Sequence, residues 1–288
     1  MQLIIRTGTG IIVIIHDKLH AGGIQVKTNI IASILAIIML LVSPYAFGKI
    51  DQATVAGMWL FEEGSGNVAK DSSDAGNDGT IAGPKKWQDG MFGKALEFDG
   101  SSVYVEVAAN DSIILEELTI VAWANLKPSQ GTRWQSIMMR GQNPRNYLLA
   151  VDKDTQTLQL SITKGAAGAW GGTKGGPVLT DGDWHHLAGV WAKDEGLIIY
   201  TDGVEVGKAG YVKPSLDANP ARMRIGDGSN GGHQCEGLLD EVALFNVPLS
   251  QDAIKTVMED GLERATGFLA VEPTNKLTTT WGKLKTVY

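Results

Sequence analysis

The sequence predicts an all-β sandwich closed by one short C-terminal helix, and three observations carry that expectation. About a dozen short apolar runs follow one another with turn residues between them and no alternation of strand and helix. Thirty-six glycines against nine prolines suit many tight turns better than disorder. Residues 183–207, DWHHLAGVWAKDEGLIIYTDGVEVG, spell out a β-meander. Along it Leu187, Gly189 and Trp191 fall on one face, and His186, Ala188 and Val190 on the other. Lys193-Asp194-Glu195-Gly196 forms a polar turn, and Asp202-Gly203 is the pair favoured where a two-residue hairpin needs positive φ.

The other elements follow in order. Residues 55–61 (VAGMWLF) read as a first strand, and 62–83 as a polar segment dense in Gly, Ser, Asn and Asp. A hairpin follows, Lys94–Asp99 against 103–107 across Gly100-Ser101-Ser102. The nearly continuous apolar run 118–125 reads as a central strand covered on both faces. Short strands are expected at 136–140, 147–152, 157–163, 222–225 and 237–245, with 165–176 as a glycine-rich loop around Trp170. In 157–163, Leu158, Leu160 and Ile162 face one way, and Thr157, Gln159 and Ser161 the other. The helix begins at Ser250, a good N-cap, with Ile254, Val257, Met258 and Leu262 at helical spacing. Residues 266–288 form a tail whose role the residues do not reveal.

The first 48 residues read as an N-terminal extension and secretory signal. The run 30–42 (IIASILAIIMLLV) follows Lys27 and precedes small residues at Ala46 and Gly48, so cleavage is expected before Lys49. A membrane span needs about 20 apolar residues. The alternative is an uncleaved anchor. Residues 1–25 are long for an n-region and carry a second apolar patch at 11–15; initiation at Val26 would leave a short one. Removing residues 1–48 takes the net charge from −7 to −9, suiting an exported protein with no nucleic-acid partner and no membrane insertion after cleavage. Cys235 is the only cysteine, so no intrachain disulfide is possible; the thiol is either partly buried or open to intermolecular pairing.

Four segments, in order, carry a family resemblance: Trp59-Leu60-Phe61-Glu62, Ala95–Gly100 (ALEFDG), 118–123 (LTIVAW) with the meander, and 237–250 (GLLDEVALFNVPLS). Together they resemble the laminin-G-like domains of the concanavalin A-like lectin/glucanase superfamily over roughly residues 53–263. The resemblance implies a jelly-roll β-sandwich of two antiparallel sheets, spanning 49–265, used outside the cell or at its surface for recognition. Its partner would be a glycan or an extracellular surface protein. The fold does not select one ligand.

Catalysis finds little support in the residues. Hydrolases of this fold resemble one another in an E-x-D-x-x-E strand, which is absent here. Asp240-Glu241 are adjacent on a strand and are expected to point to opposite faces, as are His185-His186. Gly226–Gly231 fits G-x-G-x-x-G but enters a loop instead of a helix. A divergent glycoside hydrolase or lyase, or a purely structural surface domain, remain the alternatives. Asn110-Asp111-Ser112 fits a glycosylation sequon, though the signal looks bacterial.

Calcium is the cofactor the resemblance implies, with Asp71, Asn77, Asp99 and Asp240 as hard oxygen donors. The competing reading has Asp99 holding the turn before Gly100 and Asp240 capping backbone amides inside the sandwich. For ligand binding, Arg133, Trp134, Trp170, His233 and Gln234 stand in glycine-rich loops, where indole faces can stack on sugars and amides can fix hydroxyls. Plain packing is the alternative for the loop tryptophans. Trp59, Trp123, Trp184 and Trp191 lie in strands and are expected in the core.

Overall fold

The computed structural model describes residues 2–6, 12–16, 49–128, 134–141, 145–164, 169–212, 221–228 and 232–268. The chain divides into two compact units, residues 1–46 and 47–288. In the first, β1 (Gln2–Arg6) and β2 (Ile12–His16) pair as an antiparallel hairpin. The apolar patch at 11–15 thus belongs largely to a strand. The expected signal core at 30–42 and the tail beyond 268 lie outside the described residues.

The second unit holds β3 (Val55–Trp59), β4 (Val68–Ala69), β5 (Gly79–Ala82), β6 (Trp87–Asp89), β7 (Lys94–Asp99), β8 (Tyr104–Val107), β9 (Leu118–Leu126), β10 (Gln135–Gly141) and β11 (Arg145–Val151). It continues with β12 (Leu158–Lys164), β13 (Ala169–Gly175), β14 (Trp184–Ala192), β15 (Gly196–Thr201), β16 (Val204–Ala209), β17 (Met223–Ile225) and β18 (Glu236–Phe245). Two helices close it, α1 (Gln251–Asp260) and α2 (Leu262–Thr266).

These strands form two antiparallel sheets in a jelly-roll sandwich. One runs β13-β12-β11-β10-β17-β8-β5-β4; the other runs β16-β15-β14-β9-β18-β7-β6, and β3 joins it along β18. Period-2 alternation sends Trp59, Leu96, Phe98, Tyr147, Leu187, Trp191 and Leu244 between the sheets, where each is essentially free of solvent. A second apolar cluster lies on the far face of the β18 sheet. There Val121, Ala188 and Ala243 are roofed by Ile254 and Val257 of α1 and by Leu262 and Ala265 of α2. The Ser250 hydroxyl accepts the Ala253 N–H at 3.2 Å, as an N-cap should. Gly261, at φ 77°, breaks the expected single helix into two.

The meander forms as expected, with Asp202 and Gly203 at φ 51° and 73° in the β15–β16 turn. Other expectations need correction. The glycine-rich stretch at 165–176 supplies β13, an edge strand paired with β12 along its length. Its glycines allow close approach: a Cβ on Gly175 would stand 2.4 Å from the Val206 carbonyl oxygen. Within the polar segment, β4 and β5 extend the first sheet. Trp59, Trp123 and Trp191 are buried as expected, Trp123 outside the two main apolar clusters, but Trp184 is half-buried on the outer face of its sheet. Cys235 is fully buried in the core as a free thiol, which rules out intermolecular pairing in the folded state.

The outer face of the β18 sheet also buries a polar row. Asp240, Trp123 and His186 are direct cross-strand partners on β18, β9 and β14. His186 and Trp123 meet edge to face at 5.3 Å, and the imidazole nitrogens and the indole N–H have no hydrogen-bond partners among the described residues. Two substitutions separate this row from the core. Trp191→Ala empties a sandwich site and should cost about 3–5 kcal/mol. His186→Phe removes two unsatisfied nitrogens while keeping the ring contact, so its stability should match or exceed the parent's. Urea unfolding of both variants checks the contrast.

Candidate functional site

Trp134 sits where the chain enters β10, half-buried on the outer face of the β10–β13 sheet. Its ring packs on Met139, Leu148 and Ala150, residues of β10 and β11 that alternation turns away from the core. The indole N–H donates to Gln159 Oε1 on β12 at 3.1 Å, and the Gln159 amide donates to Ser161 Oγ at 2.7 Å. His233 meets the indole edge to face at 5.7 Å, held by its own carbonyl, which accepts the Ser136 N–H. The Lys153 ammonium lies 5.3 Å from the indole centroid, within cation–π range. Lys153 is presented by a turn whose N–H groups at Asp154 and Thr155 donate to Asp152. Burial opposes ionisation of Asp152, but those donors and Lys174 outweigh it and hold the carboxyl below its usual range.

Of the five expected ligand-binding residues, the structure brings Trp134 and His233 together, with Gln234 half-buried beside His233. Arg133 lies outside the described residues. Trp170 stands in β13 opposite Thr163, four residues along β12 from Gln159. That places its backbone roughly 13 Å from the Trp134 patch; its side chain lies outside the described residues. Lys153 and Gln159 were not singled out from sequence, although alternation already turned Gln159 outward.

The four expected calcium donors do not converge. Asp71 accepts N–H groups from Met58, Ser73 and Asn77, and Asn77 donates its amide to the Ala56 carbonyl and Ser112. This pair fastens the 71–77 loop to β3. Asp99 accepts the Ser101, Ser102 and Val103 N–H groups; burial works against the charge, and these donors hold the carboxyl well below its ordinary range. Asp240 differs: Oδ2 accepts the Phe92 N–H at 2.9 Å, while Oδ1 is buried with no hydrogen-bond partner among the described residues. Nearby, Glu62 accepts the Lys94 N–H at 2.7 Å on the same turn. A Cβ on Gly90 would stand 2.5 Å from Asp240 Oδ2, so that turn must carry glycine. Among the described residues, no group of three or more His, Cys, Asp or Glu side chains is arranged around a common metal position.

Asp240 and Glu241 correct the expectation of opposite faces. Asp240 pairs with Trp123 and Ala243 with Val121, so β18 holds one extra residue, with Glu241 at φ 50°. The bulge sets Leu239 and Val242 toward the core and turns both carboxyls outward, under Phe92 and the start of α2. Glu241 accepts the Leu262 N–H that opens α2. Burial raises Asp240 to about 7, and burial followed by the neighbouring Asp240 charge raises Glu241 to about 8. The adjacent histidines do diverge. His185 lies between Asp202 at 2.8 Å and Asp181 at 3.3 Å; burial opposes its charge, but the carboxylates raise its pKa. His186, 1% exposed, is pushed by burial down to about 4.

Together the two sheets define a jelly-roll β-sandwich with an aromatic patch on one outer face. The chain belongs to the concanavalin A-like lectin/glucanases superfamily, whose laminin-G model matches residues 99–255. No curated protein matches the sequence. Among solved structures it is similar to the binding domain of Paraclostridial Mosquitocidal Protein 1, at 12% identity and TM-score 0.58 over 73% of this chain and 52% of that one. It is also similar to domain 4 of AbnA, an extracellular arabinanase from Geobacillus stearothermophilus in complex with arabinotriose, at 20% identity and TM-score 0.55 over 71% of this chain and 98% of that one. A third is the botulinum neurotoxin DC binding domain in complex with rat synaptotagmin II, at 11% identity and TM-score 0.56 over 74% and 53%. The chain thus spans about half the length of the toxin domains and nearly all of the arabinanase domain. No helix among the described residues is long and apolar enough to cross a membrane.

The carboxyl pair makes stability depend on pH. Asp240 and Glu241 keep their protons to about 7 and about 8 when folded, whereas the unfolded chain loses them near 3.8 and 4.5. The folded state therefore binds more protons in between, and stability falls as pH rises through that range. His185, raised, acts in the same direction; His186, lowered, acts oppositely, but only below its unfolded value of 6.5. In EGTA, the thermal midpoint should drop by several degrees from pH 6.5 to 8.5, and Glu241→Gln should flatten the drop. A midpoint that climbs across the same interval would contradict the assignment.

Proposed function

We propose that this chain is an exported, non-catalytic recognition module that binds glycans on extracellular surfaces through the Trp134 patch. The observation that carries the reading is the half-buried Trp134 ring, flanked by His233 and Lys153 and tied to Gln159. An indole of this kind offers a flat apolar surface to sugar C–H groups, and the amide, imidazole and ammonium groups around it suit hydroxyls. The similar binding domains support the reading through fold alone. Export through the segment ending at residue 48 belongs to the same proposal.

A glycan array probed with residues 49–288 tests it. Trp134→Ala should abolish the array signal, or weaken it at least tenfold, with little change in the thermal midpoint; Trp170→Ala serves as comparison. Undiminished binding by the Trp134 variant would sink the assignment, and its unfolding would favour a packing role instead.

Calcium enters the proposal only through Asp240. Glu62 and Asp240 are hard oxygen donors that hold the same 90–94 segment, and the Glu62 charge raises the cost of charging Asp240, which a divalent cation would relieve. Millimolar calcium should lift the thermal midpoint by several degrees over EGTA, and Asp240→Asn should remove the difference. Identical midpoints in the parent would take calcium out of the account.

A further inference from the structure

The sandwich carries a second concavity, on the sheet opposite to Trp134. It is a groove of about 490 Å³ over β6, β7, β18 and β9, within the range of small-ligand sites. Two lateral rows form its floor. Glu97, Leu238 and Asn125 are cross-strand partners, and Trp184 continues that row on β14 as the partner of Asn125. In the neighbouring row Asp99 pairs with Glu236, whose carbonyl accepts the Lys127 N–H. Alternation turns these side chains outward, because Phe98, Leu126 and Leu239 face the core.

The charge of the lining is one-sided. Among the described residues, Asp89, Glu97, Asp99 and Glu236 face a single lining cation, Lys127. Glu97 is steadied by the Gln88 amide at 2.9 Å, with Lys86 at 3.8 Å. Glu236 Oε2 is buried with no hydrogen-bond partner among the described residues. It lies where a Cβ on Gly100 would come within 2.9 Å, and Gly100 has φ +72°, so this residue leaves the carboxylate room. Glu97 and Asp99 stand two residues apart on one strand face, roughly 7 Å along the chain. Carboxylates strung out in this way do not close on one metal ion, and they repel anionic sugars. They match spaced ammonium groups on an extended ligand.

We propose that this groove binds an oligosaccharide of free amino sugars. The ammonium groups lie against Glu97 and Glu236, the hydroxyls against Gln88 and Asn125, and a ring against the half-buried Trp184. The indole and the two amides favour a sugar over a lysine-rich peptide, which would use the charges alone. The groove opens on the other sheet from the Trp134 patch, and the proposal does not rest on that patch.

Titration calorimetry of residues 49–288 with a β-1,4-linked glucosamine tetramer, its fully N-acetylated counterpart and tetralysine tests the proposal. The free-amine tetramer should bind saturably, at least tenfold tighter than the other two, and weaken as salt rises. Glu236→Gln and, independently, Glu97→Gln should each cost about tenfold in affinity, with Trp134→Ala unchanged. Glu97 is the more exposed control, because its glutamine variant leaves the interior untouched. No binding of the free-amine tetramer would overturn the proposal. So would equal binding of the acetylated tetramer or of tetralysine, or parent-like affinity in a folded Glu97→Gln protein.

Discussion

The extra residue at Glu241 is the constraint on which much of this architecture depends. β18 borders β9 along one side, but along the other it pairs first with β7, through 236–239, and then with β3, through 242–245. The bulge falls at the change of partner. Without it, alternation would bury Glu241 between the sheets among apolar residues. With it, Asp240 and Glu241 both turn outward, and each finds a backbone N–H on a different overlying segment, Phe92 and Leu262. One irregular residue thus fastens both the 90–93 turn and the start of α2 to the sheet. The energetic cost of two buried, mutually repelling carboxyls is held down by their protonation near neutral pH.

That fastening divides the outer face of the β18 sheet. On one side of Asp240 the face is apolar and roofed by α1 and α2; on the other it is open and lined by Glu97, Asn125 and Glu236. The segment 233–236 connects this open half to the opposite sheet. His233 reaches Trp134, Cys235 fills the core, and Glu236 enters the groove. Gln135, next to Trp134, accepts the Glu236 N–H and donates to the Lys127 carbonyl. Trp134 and the groove therefore share one hydrogen-bonded rim while facing different sheets. Their positions are set by common backbone, and their chemistry differs because alternation sends neighbouring side chains to different faces.

Much of this was legible in the residues. The meander, the central strand at 118–125, the Ser250 cap and the Asp202-Gly203 turn follow from local pattern, because each depends on spacing within a few residues. The bulge was not legible, since nothing in Leu239-Asp240-Glu241-Val242 departs from a regular strand. The shift becomes visible only when β9, β7 and β3 are in place. The β13 strand was hidden for a different reason. Its glycines resemble a loop, yet they serve close approach to β16, a tertiary requirement that composition cannot express. Trp184 misled because strand residues are expected in the core, while its parity with His186 already turned it outward. At the site, alternation marked Gln159 as outward-facing; nothing local linked it to Trp134, which is 25 residues away.

Carboxyls with raised pKa values often mark active sites, so Asp240 and Glu241 raise the question of hydrolysis directly. A glycosidase needs two carboxyls flanking a scissile bond, about 5–9.5 Å apart and open to substrate and water. Here the two residues are 0% and 5% exposed, and each gives an oxygen to the N–H of a covering segment. The open groove on the same face is lined by other carboxylates, among which Asp99 is saturated by the donors of its own turn. Burial that explains the raised values also withdraws the pair from solvent. The perturbed carboxyls thus read as fasteners of the scaffold, each tied to a segment that covers the sheet.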